Sequence, residues 1–502
     1  MLYLKGMRPL LYDLLIVGGG VNGTGIARDA AGRGFAVVLC EQDDLASHTS
    51  SASTKLIHGG LRYLEHFAFG MVRKALAERE TLLAAAPHIL RPMEFVVPHD
   101  GSQRPAWMIR LGLLIYDHLA RRRMLPASRA LDLRSHPAGR PLQPRFHRGF
   151  VYSDGWADDA RLVVLNAVGA AESGARILTR TACTALAAAE GRWQATLRHE
   201  DGREERVAAR TVVNATGPWA GRFRERIAGL QDARELRLIK GSHIIVPALF
   251  DHSYAYLLQA PDHRVVFAIP YEGRYTLIGT TDVEHHGEPG PVTASTEEIA
   301  YLCEVVSRSF AAPIRPTDVV GSFAGIRPLQ EDESADPSGI SRDYRIELDR
   351  REPPLVSVIG GKITTYRRLA EETVDKVCAV LSRNLPRWTA RAPLPGGDLP
   401  GGDFERFAAR IVADHPWPDA AMLRRMTRAY GSRITRILAG AQDASALGAQ
   451  VLPGLYEREL KYLHDEEWAR TAEDVLWRRS KLGLGLPAGD VARLQDWIAK
   501  NW

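Results

Sequence analysis

Leu14-Leu15-Ile16-Val17-Gly18-Gly19-Gly20-Val21-Asn22-Gly23-Thr24-Gly25-Ile26-Ala27 decides the fold. Four consecutive apolar residues indicate a strand, the glycines a turn, and Thr24 to Arg33 a helix, after which Phe35 to Cys40 is strand-like again. This is the opening of a parallel βαβ unit. Within it, Gly18-x-Gly20-x-x-Gly23 is the dinucleotide fingerprint. Gly18 permits the tight turn, Gly20 lets a pyrophosphate approach the backbone, and Gly23 lets helix and strand pack closely, with Asn22 in the same segment. The helix N-terminus offers amide donors and partial positive charge. Glu41 ends the second strand at the expected distance of about 20 residues, placed to accept a ribose hydroxyl.

A chain of 502 residues, 45% hydrophobic and 25% charged, has room for two or three domains and excludes a disordered tail, a mini-protein and a fibre. Its net charge of +5 is spread over the sequence and suits anionic ligands or anionic lipid. Cys40, Cys183, Cys303 and Cys378 lie far apart, with no Cys/His cluster at zinc spacing, so they read as reduced thiols of a cytosolic chain without a metal site. Asp13 interrupts the apolar start, which reads as a first strand and not as a secretory signal. No charge-free stretch approaches the roughly 20 residues that cross a bilayer, so membrane contact would be peripheral.

Further along, Phe67 to Pro87 has helical spacing, and Asp158 and Asp159 precede a helix that carries Leu162, Val163, Leu165 and Val168. Arg176 to Thr181, Trp193 to Arg198 and Val207 to Val213 read as strands, with Asp201-Gly202 as a hairpin turn. Ser242 to Val246, Val265 to Ile269 and Tyr275 to Gly279 suggest a separate antiparallel sheet. Leu355 to Ile359, Gly360-Gly361 and a helical run from Thr364 to Leu381 return to the opening pattern. The fold class is therefore α/β plus α+β. The dinucleotide-binding domain is assigned to 1–86, 150–232 and 320–388, the substrate domain to 87–149 and 233–319, a linker to 389–402 and an all-helical cap to 403–502, with Tyr456 to His464 and Trp468 to Arg479 as its clearest helices.

The fingerprint alone serves NAD and FAD equally. Two later turns favour FAD. Val212-Val213-Asn214-Ala215-Thr216-Gly217 lets backbone pass a bound dinucleotide, and Gly360-Gly361-Lys362-Ile363-Thr364 opens a helix whose dipole could stabilise a reduced isoalloxazine. The loop from Ser47 to Tyr63 is rich in hydroxyls and backbone donors, and Thr49, Ser50, Ser51, Ser53, Thr54, Gly60 and Leu61 are candidate cofactor contacts. Ala215, Thr216, Gly217, Trp219, Gly361, Lys362, Ile363 and Thr364 complete that set.

The run Thr49 to Tyr63, Asn214-Ala215-Thr216-Gly217-Pro218-Trp219, Lys240-Gly241-Ser242-His243, Ile278-Gly279-Thr280-Thr281-Asp282, Gly325-Ile326-Arg327-Pro328-Leu329 and Gly360 to Tyr366 together resemble the FAD-dependent, membrane-associated glycerol-3-phosphate dehydrogenases. The match runs through the chain in order and includes Glu459 to Leu463 and Asp474 to Arg479. Met1 to Leu10 precede the point where that family usually begins. The resemblance implies oxidation of sn-glycerol 3-phosphate to dihydroxyacetone phosphate by hydride transfer from C2 to flavin N5, with electrons passed to a membrane quinone. It also implies peripheral attachment at the inner face of the cytoplasmic membrane.

By the same resemblance Arg62, Arg327, Arg342 and Lys362 converge on the substrate phosphate or the flavin edge, and Tyr63 adds a hydroxyl. A dianionic phosphate needs such fixed cations when it leaves water. Loss of hydride also requires a base for the hydroxyl proton; His243 is the first choice and His58 the second. For lipid contact there are two candidates, the apolar helix Trp107 to Met124 ahead of Arg121-Arg122-Arg123, and the amphipathic helix from Thr364. A homodimer stays open, as does an oxygen-using glycerol-3-phosphate oxidase on the same fold. A soluble nicotinamide enzyme rests on the fingerprint alone, and a nucleotide-dependent nucleic-acid-binding protein has only the net charge behind it, with no RNA-binding motif.

Overall fold

Leu14, Leu15 and Ile16 are wholly buried because the strand they form lies in the middle of a sheet covered on both faces. The computed structural model describes residues 11–101, 104–229, 236–262, 264–330 and 343–502. In the first sheet Leu11–Val17 runs parallel to Val37–Cys40 on one side and to Glu204–Asn214 on the other. Leu355–Ile359 and Arg176–Leu178 extend the parallel set, and Arg345–Asp349 closes one edge antiparallel. The hairpin Thr181–Ala189 and Arg192–His199 is the antiparallel excursion, paired back onto Glu204–Asn214. Helices Val21–Gly32, Asp159–Glu172 and Tyr366–Val380 contribute to one core with these strands. Asp158 caps the second of them, its carboxylate accepting from the Arg161 amide.

The second sheet is mainly antiparallel, in the order Val283–Glu284, Leu236–Pro247, Tyr275–Gly279, Val265–Tyr271, Ala255–Gln259, Leu90–His99, Arg148–Ala157, Leu56–Ile57. Gly321–Gln330 pairs along most of Leu236–Pro247, placing Phe323 opposite His243 and Arg327 opposite Ile239. Three strands from segments assigned to the first domain, Leu56–Ile57, Arg148–Ala157 and Gly321–Gln330, thus lie in this second sheet. Apolar content marks a strand but not the sheet it joins, because register is set by partners distant in sequence.

The C-terminal helices Phe404–Asp414, Ala420–Tyr430, Glu457–Glu467 and Ala488–Asn501 enclose or border a core of their own. It is not all helix: Gln450–Leu452 and Leu455–Tyr456 form a small hairpin across Pro453-Gly454, since proline stops a helix and Gly454 takes a left-handed turn. The helix expected from Trp468 begins only near Asp474. Trp468 adopts a positive φ that ends the preceding helix, and the Asp474 carboxylate accepts from the Arg470 and Thr471 amides.

This cap is bolted to the nucleotide-binding half by buried charge. Asp44 accepts from Arg478 at 2.7 Å and from both terminal nitrogens of Arg479 at 2.6 and 2.7 Å, and Arg161 forks onto Glu467. The helix Tyr366–Val380, one of the two lipid candidates, is also interior. Leu369, Ala370, Val374 and Val377 are buried against Val21–Gly32, and Arg367 is held by Glu78 and Glu371. Its apolar face is not available to a membrane. Among the described residues no helix is long and apolar enough to cross one.

Candidate active site

The residues that follow the C-terminal ends of the parallel strands line a cleft of about 590 Å³, whose other wall comes from the second sheet. Val17-Gly18, Cys40-Glu41-Gln42, Ala215 to Trp219 and Gly360 to Ile363 form the first wall; Tyr152, Leu257, Phe267 and Arg327 belong to the second. Gly18 has φ +114°, and a Cβ there would lie 2.5 Å from the Ala215 carbonyl. A Cβ at Gly23 would lie 1.8 Å from the Gly18 carbonyl, so Gly23 serves the packing of turn on helix and does not face the cleft. At Gly20 the obstacle would be the Ser50 hydroxyl, which accepts from the Val21 amide. The Glu41 carboxylate accepts from the Gly19 amide at 2.6 Å and the Asp43 amide at 3.0 Å, and burial pushes its pKa upward.

These features fit FAD. The turn has no side chain where a pyrophosphate would pass, Glu41 is fixed on the cleft wall by two backbone amides, and Asn22 donates to the Gly360 carbonyl while its buried Oδ1 has no partner in the protein. Thr49, Ser50, Ser53, Thr54, Gly60, Leu61, Ala215, Thr216, Gly217, Trp219, Gly361, Lys362 and Ile363 all line the cleft. Ser51 and Thr364 do not. The Ser51 hydroxyl donates to the His48 carbonyl, and the Thr364 hydroxyl accepts from the His58 amide. The loop itself is pinned from below: Asp159 accepts from the Ser53 amide and hydroxyl and from Lys55, and Thr49 donates to the Ile326 carbonyl.

At the far end are Arg62, Tyr63, Lys362 and Arg327, all on the cleft wall. Lys362 stands 3.8 Å from the Tyr63 ring centroid. Arg327 donates to Asp282 at 2.5 Å and to the Thr280 hydroxyl at 2.9 Å, and its guanidinium occupies space that any side chain at Gly241 would take. Asp282 and Thr280, left without a definite role by the sequence, therefore orient an arginine. Behind them Glu298 accepts from Lys240, Ser242 and Thr281, a link from the capping box of helix Thr296–Ser307 that the Lys-Gly-Ser-His motif does not announce. Arg342 lies outside the described residues.

The two histidines differ. His58 is on the cleft wall. His243, the first choice for the base, is wholly buried, stacked on Phe323 at 4.8 Å, and reaches the cleft only through the Thr54 hydroxyl at 2.9 Å. Burial, reinforced by Arg327 and Lys55, drives its pKa well below the ordinary value, so it is neutral. Its Nδ1 has no partner. Among residues that sequence reasoning missed, Ala182, Cys183 and His48 line the end near Glu41, with His48 tilted against Trp219 at 4.8 Å. Ala182 and Cys183 lie on the strand Thr181–Ala189, which no local pattern ties to the site, and His48 is a non-hydroxyl member of the Ser47 to Tyr63 loop.

Residues 13–366 match the model of the FAD-dependent oxidoreductase family, and residues 387–495 that of the C-terminal domain of alpha-glycerophosphate oxidase. The chain is 51% identical over 490 residues to a glycerol-3-phosphate dehydrogenase of Pseudomonas aeruginosa, covering 97% of this chain and 95% of that one. It is 48% identical over 492 residues to a D-erythritol 1-phosphate dehydrogenase of Brucella abortus, covering 98% of each. Among solved structures, the glycerol-3-phosphate dehydrogenase from Bacillus halodurans complexed with FAD superposes with a TM-score of 0.77 at 28% identity, covering 98% of this chain and 90% of that one.

Proposed function

We propose the following reading for a chain that belongs to the FAD-dependent oxidoreductase family and carries its glycerophosphate oxidase C-terminal domain. It is an FAD enzyme that oxidises glycerol 3-phosphate, giving dihydroxyacetone phosphate. The observation that carries this is the convergence, in one cleft, of the fingerprint turn with Arg62, Lys362 and Arg327. Bound FAD supplies the two-electron acceptor for the hydride that leaves C2.

The chain's own residues do the rest. Arg327, held by Asp282 and Thr280, presents a preoriented fork to phosphate oxygens, and Lys362 and Arg62 add charge without that geometry. We assign the hydroxyl proton to His58, which of the two candidate bases is the one on the cleft wall. For His243 the cheaper arrangement leaves an acceptor, not a donor, unpaired in the interior, so Nε2–H donates to Thr54 and the Thr54 hydroxyl is free to donate into the cleft. His243 is then a positioning residue. A membrane quinone is the onward acceptor, reached by peripheral attachment through anionic lipid.

The test compares glycerol 3-phosphate, D-erythritol 1-phosphate and glycerol as substrates, with a short-chain ubiquinone or oxygen as acceptor. The reading expects glycerol 3-phosphate to lead in kcat/KM, glycerol to be nearly inert, and quinol to form without stoichiometric peroxide. Preference for the four-carbon phosphate would reassign the substrate; peroxide matching substrate consumed would make the enzyme an oxidase.

A further inference from the structure

Between Glu41 and Ser47 the chain faces two ways. Glu41, Gln42, Ala46 and Ser47 line the cleft, and the Ala46 amide donates to the Gly19 carbonyl of the fingerprint turn at 3.2 Å. Asp44, between them, is buried outside the cleft wall and reaches the C-terminal cap. Arg479 forks its two terminal nitrogens onto the two oxygens of that carboxylate, and it also donates to the Glu467 carbonyl at 3.0 and 2.6 Å. Arg478 joins Asp44 to Asp474. Asp474 accepts in turn from Arg180, whose amide donates to the Asp43 carbonyl at 2.8 Å. The cap thus holds this loop at two successive residues, Asp43 and Asp44.

The same arginine is linked to the other loop of the cleft. Glu467, whose carbonyl it grips, pairs its carboxylate with Arg161, two residues beyond the Asp159 that pins Ser53 and Lys55. Arg161, Glu467, Asp474 and Arg479 are all buried. Ion pairs so placed stabilise a fold no better than apolar side chains of equal volume, because each charge first loses its water. What a bidentate fork adds is position, since it fixes the distance and angle at which two backbones meet. Here it sets the cap against both loops of the cofactor cleft.

We propose that the cap is a cofactor clamp, with Arg479 as the positioning residue that holds the loop from Glu41 to Ser47 closed on bound FAD. The inference goes beyond the reaction assigned above and rests only on its cofactor. Arg479 is not on the cleft wall; it acts through Asp44 on Glu41, Ala46 and Ser47. Linkage makes the effect reciprocal: cap docking that tightens FAD is itself tightened by FAD, by the same factor.

The test uses the flavin-loaded full chain. Arg479→Lys keeps the charge but has no planar fork to span Asp44 and the Glu467 carbonyl, so FAD should leave at least about ten-fold faster after dilution, read as the rise in flavin fluorescence. Half-saturation of turnover by added FAD should rise by a similar factor, while KM for glycerol 3-phosphate moves less than about two-fold. Arg433→Lys is the control. Arg433 also ties the cap to the nucleotide half, but through Glu172, about 20 Å along the helix from Asp159, and its variant should release FAD as the parent does. In the parent, hydrogen exchange of residues 467–479 should be at least about ten-fold slower with FAD than without, a comparison that decides the matter even if Arg479→Lys does not fold. FAD release from Arg479→Lys equal to the parent, equal loosening by both variants, or exchange indifferent to FAD would each overturn the clamp. A parent that binds no FAD would overturn the cofactor assignment instead.

Discussion

Replacing Arg327 with alanine isolates the phosphate clamp. Its guanidinium is anchored at 2.5 Å to Asp282 and 2.9 Å to Thr280 and lines the cleft, so it is held there already oriented. A hydrogen bond to a charged group contributes about 1.5 to 3 kcal/mol, and truncation also leaves Asp282, with 11% of its side chain exposed, facing a dianion. Two such bonds total about 3 to 6 kcal/mol, which is a loss in kcat/KM on the order of a hundred- to ten-thousand-fold. Anaerobic stopped-flow recording of flavin reduction by glycerol 3-phosphate measures it, with the retained visible spectrum showing that the cofactor stays bound. Glycerol, lacking the phosphate, should be oxidised equally slowly by parent and variant. Asp282→Asn, which keeps shape but removes the charge that aims Arg327, should cost roughly ten-fold, chiefly in KM. A variant within three-fold of the parent on glycerol 3-phosphate would remove Arg327 from the clamp.

Gly18→Ala places a methyl group against the Ala215 carbonyl at a φ that costs about 1 to 3 kcal/mol for other residues, so the protein should emerge from gel filtration largely without its yellow colour. Asp44→Ala leaves buried Arg479 without its carboxylate, while Arg478 keeps Asp474 and Glu473, and should lower unfolding free energy by about 3 to 5 kcal/mol in denaturant titration; a loss under 1 kcal/mol would refute the bolt between cap and nucleotide domain. Burial, with Arg161 and Arg428 adding to it, pushes the His88 imidazole down to about 3. The unfolded chain therefore takes up a proton near pH 6.5 that the folded one refuses, and stability falls as pH drops from 7 to 5.5, by about 1.2 kcal/mol from this residue. His88→Leu should flatten that slope by the same amount. His58→Gln should slow flavin reduction at saturating substrate by about a hundred-fold or more, whereas His243→Gln should alter KM more than that rate; the reverse pattern would return the proton to His243.

The nucleotide half was legible because its signals are local. The glycines of the fingerprint are demanded by a turn and a close contact a few residues away, and Glu41 follows from the length of one βαβ unit. The phosphate clamp was legible only as a set of cations. That Arg327 leans on Asp282 depends on strand pairing across more than one hairpin, and no spacing encodes it. His243 looked like a base because a histidine in a motif has the right chemistry; the neighbours that bury it, Phe323 and Thr54, come from two other segments. The two amphipathic helices make the same point. In sequence Tyr366–Val380 and Ala106–His118 were equal candidates for lipid, and only the packing of the first on Val21–Gly32 separates them.

The account stands or falls on whether this phosphorylated alcohol delivers two electrons to a cofactor that the chain already holds. Glycerol 3-phosphate added without oxygen to the purified yellow protein should bleach the visible band within the mixing time of a manual titration, one equivalent per site, and leave one equivalent of dihydroxyacetone phosphate. A spectrum that persists with excess substrate, in protein shown to contain FAD, would contradict it.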